Sequence, residues 1–358
     1  MSGTNGLGAL GPSNYGLLGQ LITDNQQVQN RLTQLTTQSA SGYISNDFGG
    51  LGSGAAPALD LTAETSANTN LISGIQASNG ALGVTQTAMQ QIGSIASSFL
   101  SQLDGPGASN VSLLSANAQA AMTQLGQLLD TQNGNSYVFA GQDAANPPVP
   151  NPSNLPTSGL ATQIQAAVSG LATNGVATTM TTIQSVANSN TAGTTPFSAN
   201  LSAAGVVPAS TTVIGANEAV PTGILATTNL SGPSTAPYTT GSATRDLLAS
   251  LATIAALPST TANTTAYNGL VSAVRGLLQG VVTTNSNDQG ILGIQQNQIQ
   301  AAGSLLTDTN TALQTQLTSL ENVNMAATIS NLNQAQTQLQ ASYRLIANTS
   351  SLSLASYI

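Results

Sequence analysis

Two groups of residues have types and spacing that suggest chemistry. Asp60 and Glu64 stand four apart, one helical turn, which is the geometry a pair of catalytic carboxylates needs. Gly50, Gly52 and Gly54 resemble the start of a loop that cradles phosphate on its backbone N–H groups. Neither group carries an activity. Acidic side chains in the first turn of a helix are stabilised by its dipole, and no cleft-forming pattern accompanies this pair. The third glycine of a G-x-G-x-x-G match falls on Ala55, no strand precedes the segment, and the sequence has no lysine. A carboxylate pair at a helix start and an irregular glycine-rich connector are the better readings.

The residues that are absent narrow the field further. The 358 residues include four arginines (Arg31, Arg245, Arg275, Arg344), 12 carboxylates and no Lys, His, Cys or Trp, for a net charge of −8. A Ser–His–Asp triad, a cysteine nucleophile, a thiolate or imidazole zinc site, a disulfide and a lysine Schiff base are all excluded. The expectation is a protein that is not an enzyme, with no catalytic residue, no cofactor and no metal. Four scattered arginines make no phosphate-tracking stripe, so nucleic acid is not an expected partner. No apolar run approaches the roughly 20 residues that cross a bilayer, so membrane insertion is not expected. The start, Met1-Ser-Gly-Thr-Asn, has neither a basic segment nor an apolar one, so work outside the cell implies export without a cleaved signal peptide. Charged residues are 4 % of the chain, far below the usual ~25 %. Few like charges then oppose the close packing of many copies.

Helices must position whatever this chain presents. Ile299, Ala302, Leu306, Leu313, Leu317 and Leu320, then Leu332, Leu339, Tyr343 and Ile346, recur at helical spacing from Ile291 onward. Gln, Asn, Thr and Ser fill the opposite face. One rod, or two nearly continuous ones, is expected. At the other end Leu18, Leu21, Asn25, Val28, Leu32 and Leu35 alternate by threes and fours, a coiled-coil seam with one polar residue on it. Residues 39–58 interrupt the periodicity with glycines. It resumes from about Ala58 to Leu103 through Leu61, Ile72, Ile75, Leu82, Met89, Ile92, Ala96 and Phe99, with a local stammer between Leu82 and Ile92.

Asp104-Gly-Pro-Gly reads as a turn, Val111 to Asp130 as a shorter helix, and Tyr137-Val-Phe139 as a short strand after the Asn133-Gly134 turn. Residues 144–240 hold most of the prolines. Val206-Val207, Thr211–Ile214 and Gly223–Ala226 suggest short strands there, in a small, mostly β or irregular insertion. Helical spacing returns at Ala243–Ala256 and again from Tyr267. Each apolar stripe needs cover, and the other end of the chain is the obvious supplier. The expected fold is mainly α: a long antiparallel helical or coiled-coil stalk formed by both chain ends, with the insertion between them. The expected divisions are 1–40 and 325–358 as assembly helices, 41–143 and 243–324 as the two halves of the stalk, and 144–242 as a variable outer domain.

The ends resemble the flagellin superfamily. The tail from Gln336-Thr-Gln-Leu-Gln-Ala-Ser-Tyr-Arg-Leu-Ile to Leu352-Ser-Leu-Ala-Ser-Tyr-Ile358 is similar to the family's C-terminal segment. Glu321-Asn-Val-Asn-Met-Ala-Ala and Leu292-Gly-Ile-Gln-Gln-Asn297 resemble the approach to it. Gly134-Asn-Ser-Tyr-Val-Phe-Ala-Gly141 is similar to the hook–filament junction branch of that family. The resemblance covers residues 15–141 and 243–358. The joint Ser41-Gly-Tyr-Ile44 departs from the family pattern by lacking a basic residue, and Gln86–Leu103 lacks the arginine-bearing helix that innate receptors recognise in some flagellins.

The resemblance implies an extracellular structural subunit of the bacterial flagellum. It would be exported by the flagellar type III machinery with a chaperone and would assemble through its terminal helices with copies of itself. It would meet a hook-associated protein on the hook side and flagellin on the filament side. The expected assembly interface is Leu18, Leu21, Val28, Leu32, Leu35, Leu332, Leu339, Tyr343 and Ile346. Filament flagellin and, more remotely, a secretion-system translocator are the alternatives. The polar faces rich in Gln and Asn count against a translocator, whose helices need nearly unbroken apolar stretches.

Overall fold

The computed structural model describes residues 13–104, 111–203, 208–258 and 264–355, with side chains between residues 19 and 348. Residues 1–12, the Gly105–Gly107 turn and the Val206-Val207 run lie outside the described residues. The chain forms two compact units, one from residues 1–68 and 308–358, the other from residues 69–307.

The first unit contains helix α1 (Ser13–Ser41), a 3-10 turn at Phe48–Gly54, the start of helix α2 (Ala55–Asp104), the end of helix α8 (Thr265–Glu321) and helix α9 (Met325–Ala355). Helix α1 stops at Gly42, which takes φ +79° while its N–H donates to Gln38 O at 2.9 Å. A left-handed glycine just past the last turn is a common way to end a helix without a Cβ clash. Helix α9 starts at Asn324, whose Oδ1 accepts from Ala327 N at 3.2 Å and satisfies a first-turn N–H. The expected C-terminal rod is therefore two helices, broken at Asn322–Asn324. Helices α1 and α9 pack side by side and antiparallel: Tyr43 bridges to Asn322, and Gln29 reaches Tyr343, 21 residues beyond Asn322.

The second unit is built around helix α7 (Ala243–Ala255). Of its residues from Ala243 to Ile254 only Thr244 is not buried, and a helix covered on all sides is a core element. It packs against α3 (Val111–Leu129), α4 (Gly159–Ser169) and α5 (Leu171–Ala187). Met122, Leu125, Leu160, Ile164, Met180, Ile183, Leu247 and Leu248 are at most 1 % exposed. Within the same unit α2 and α8 run antiparallel. Asn79 Oδ1 accepts from Gln296 and Gln300, and Asn285 Nδ2 donates to Met89 O. Gly93 permits that approach, because a Cβ there would fall 2.5 Å from Asn285 Nδ2. The stammer between Leu82 and Ile92 does not interrupt α2.

The structure differs from the sequence reading in two details. The strand expected at Tyr137–Phe139 is one step earlier: β1 (Gln132–Asn133) pairs with β2 (Ser136–Tyr137) across Gly134, at φ +62°, and Asn135. Phe139 instead turns inward, 1 % exposed, and its carbonyl accepts from Ala226 N at 2.9 Å. Among the described residues the middle of the chain holds one hairpin, β3 (Thr211–Gly215) with β4 (Glu218–Pro221), no strand at the expected Gly223–Ala226, and also the helices α4, α5 and α6 (Ala199–Ser202). Leu160, Ile164, Val168 and Leu171 do have helical spacing, but the Thr, Ala and Gly around them hide it. Packing against α7 is what stabilises such weakly patterned helices.

Candidate assembly surface

The two terminal helices meet along matched heptads. On α1 the facing residues are Leu21, Asn25, Val28, Leu32 and Leu35, and on α9 they are Thr328, Leu332, Ala335, Leu339, Ser342 and Ile346. Both series step by alternating threes and fours, so each stays on the face turned to its partner. Leu35, Thr328 and Ala335 are buried, while Leu21, Val28, Leu32, Leu332, Leu339 and Ile346 are half-buried. The Leu18 side chain lies outside the described residues. Thr328, Ala335 and Ser342 were not among the interface residues expected from sequence. Small side chains carry little hydrophobic signal, yet they let two helix backbones approach; their seven-residue spacing was the available clue.

Tyr343 occupies a different place from the leucines. It is 49 % exposed, and its hydroxyl accepts from Gln29 Nε2 at 2.7 Å. Met325, Ile329 and Tyr343, separated by four and fourteen residues, share one flank of α9 beside the seam, and each is more than 40 % exposed. Ile22 on α1 and Leu345 on α9 are also exposed. The pair thus covers one side of each stripe and leaves apolar surface on the other. Asn25 sits in the seam, 8 % exposed, and its Oδ1 has no hydrogen-bond partner among the described residues.

The joints at the end of this unit are laced by backbone bonds. Ile44 N donates to Glu321 O at 2.7 Å and Val323 N to Gly42 O at 2.9 Å, while Gln38 Nε2 donates to Ile44 O at 2.8 Å. The glycine-rich stretch beyond is a 3-10 turn capped by Asp47, whose Oδ1 accepts from Gly50 N at 2.8 Å and from Ser45 Oγ at 3.0 Å. That carboxylate occupies the N–H a phosphate would need. Asp60 and Glu64 are exposed on α2. Among the described residues no cluster of acidic side chains is suited to a metal ion, and no helix is long and apolar enough to cross a membrane.

Buried and half-buried carboxylates in the second unit fasten loops to helices. Asp246 accepts from Thr240 N at 2.7 Å and from Thr240 Oγ1 at 2.8 Å, and also from the Thr239 hydroxyl. Asp288 accepts from Leu230 N and Ser231 N. Burial pushes both carboxyls up against the downward pull of these hydrogen bonds. Asp130 accepts from Val149 N at 2.8 Å, and burial raises it to about 6. Each satisfies backbone groups where a loop crosses the core, a structural duty.

Residues 276–358 match the family model of the bacterial flagellin C-terminal helical region. The matched stretch takes in the second part of α8, the joint at Asn322–Asn324 and all of α9, including its half of the seam. The match supports the flagellin superfamily. No curated protein matches the chain.

Proposed function

We propose that the chain is a structural subunit of the bacterial flagellum, placed at the junction between hook and filament. The observation that carries this reading is the half-covered α1–α9 seam, with Met325, Ile329 and Tyr343 exposed beside it, inside the stretch similar to flagellin. Copies of the chain bury this flank against one another as the tube grows. The buried, unpartnered Oδ1 of Asn25 fits a seam completed by a neighbour, since such a group costs about 1–3 kcal/mol when left unpaired. The interface comprises Leu18, Leu21, Val28, Leu32, Leu35, Leu332, Leu339, Tyr343 and Ile346. The subunit leaves the cell through the flagellar type III machinery with a chaperone. It contacts a hook-associated protein below and flagellin above.

Support for the junction position comes from Gly134–Gly141, the segment similar to the junction branch. Its end glycines take φ +62° and +64° and hold Phe139 in the core. The second reading, filament flagellin, is favoured by the family match taken alone, which concerns a C-terminal region and nothing specific to a junction. Deletion of the gene separates the two. Intact hooks by electron microscopy, with flagellin shed into the medium, are expected for a junction subunit. Loss of the major extracellular band, with no filament protein exported, would make the chain the flagellin instead.

A further inference from the structure

Arg245, in the first turn of α7, is 6 % exposed and has no carboxylate within ion-pairing distance among the described residues. Its Nη1 donates to Ala187 O at 3.0 Å and its Nη2 to Asn190 Oδ1 at 2.7 Å, while its guanidinium carbon lies 5.2 Å from the centre of the Phe197 ring. A guanidinium has five N–H donors, and the described acceptors engage two. The adjacent Asp246 forms no ion pair with it; its carboxylate oxygens accept from Thr239 and Thr240 instead. A buried cation without a counter-charge is costly, which points to an anion from elsewhere.

The same guanidinium lines an open cavity of about 400 Å³, within the size range of small-molecule sites. Asn188, Asn190, Thr227 and Thr228 bring amides and hydroxyls to it, and Leu201 and Leu225 bring apolar surface. We infer that this cavity binds a small hydroxylated monocarboxylate of sugar-acid size, its carboxylate on Arg245 and its hydroxyls on the surrounding amides and hydroxyls.

The charge balance selects a monoanion over phosphate. Among the described residues a single cation, Arg245, lines the cavity, in a chain of net charge −8. Three of the first four N–H groups of α7, which would otherwise help hold a phosphate, are already engaged. Ala243 N donates to Asn229 Oδ1 at 3.0 Å, Arg245 N to Ser242 Oγ at 3.4 Å and Asp246 N to Ser242 O at 2.9 Å.

Titration calorimetry on the full chain, with D-glucuronate as the probe, tests the site against neutral D-glucose and dianionic glucose 6-phosphate. Binding of glucuronate in preference to both is expected; no binding, equal binding of glucose, or tighter binding of the phosphate overturns the inference. Asn190→Asp supplies a carboxylate to Arg245 from within the chain. It is expected to raise the melting temperature and to weaken glucuronate at least about tenfold, the scale of a charge-assisted hydrogen bond. Unchanged affinity in that variant also overturns the assignment. Arg245→Gln should abolish binding where circular dichroism shows it folded. If it does not fold, Asn190→Asp decides.

Discussion

The Ile44 N–H donates to the carbonyl oxygen of Glu321 at 2.7 Å, across 277 residues of sequence, and so ties the break after α1 to the break before α9. With Val323 N on Gly42 O it forms a short antiparallel bridge between two chain interruptions. Helix ends carry unpaired backbone groups, and here two ends satisfy one another. The pairing also sets where α1 and α9 begin to run together, and hence which heptad positions face each other.

Gly42 is the residue this arrangement depends on most. Its φ of +79° suits glycine, although a Cβ there would meet nothing within 4 Å. Gly42→Ala is therefore expected to cost about 1–2 kcal/mol from backbone strain alone. Gly19→Ala, in the exposed interior of α1 with equal space around it, should instead stabilise by about 0.5–1 kcal/mol. Urea unfolding of both variants makes the comparison; equal effects would show that the φ at Gly42 is not required.

Asn25 gives a test of the seam before assembly. Replacing it with Leu removes the unpartnered Oδ1 and adds apolar surface between Leu21 and Val28. The isolated subunit is expected to gain about 1 kcal/mol or more, read as a higher urea midpoint with the slope unchanged. A lower midpoint would mean that the amide has a stabilising partner.

Leu339 tests the proposed interface. Leu339→Asp puts a charge on the half-buried face of α9, costing several kcal/mol once a neighbouring copy closes over it. Motility should be lost while the subunit still accumulates in the culture supernatant. Wild-type swimming in this strain would remove α9 from the interface.

Asp130 predicts a pH dependence. Burial raises its carboxyl from 3.8 to about 6, so the folded chain holds this proton more tightly than the unfolded one. The group's contribution is full below about 4 and is lost as the pH rises through about 6. Asp130→Asn keeps an acceptor for Val149 N without the half-buried charge. The variant should match the wild type at pH 3.5 and exceed it at pH 7.5, measured by urea midpoints. A wild-type advantage at pH 7.5 would contradict this.

Much of the helical framework was legible in the sequence because it is periodic. Leu21 to Leu35, Ile75 to Leu103 and Ile299 to Leu320 announce their helices by spacing alone, and the absence of Lys, His and Cys limits the chemistry without any coordinates. That both ends of the chain must pair also follows from two uncovered stripes. Tertiary structure decided what depends on packing between distant segments. Ala335 and Thr328 become seam residues only because α1 comes close to them, and small side chains give no signal until a partner is present. Helices α4 and α5 owe their stability to α7, so the Thr- and Ala-rich sequence read by itself showed no helix there, only part of a mostly β or irregular insertion. Arg245 looked like one of four scattered cations; only the fold removes it from water and leaves its charge unbalanced beside a cavity, because burial and counter-charge are properties of neighbours brought together by the chain and not of the residue itself.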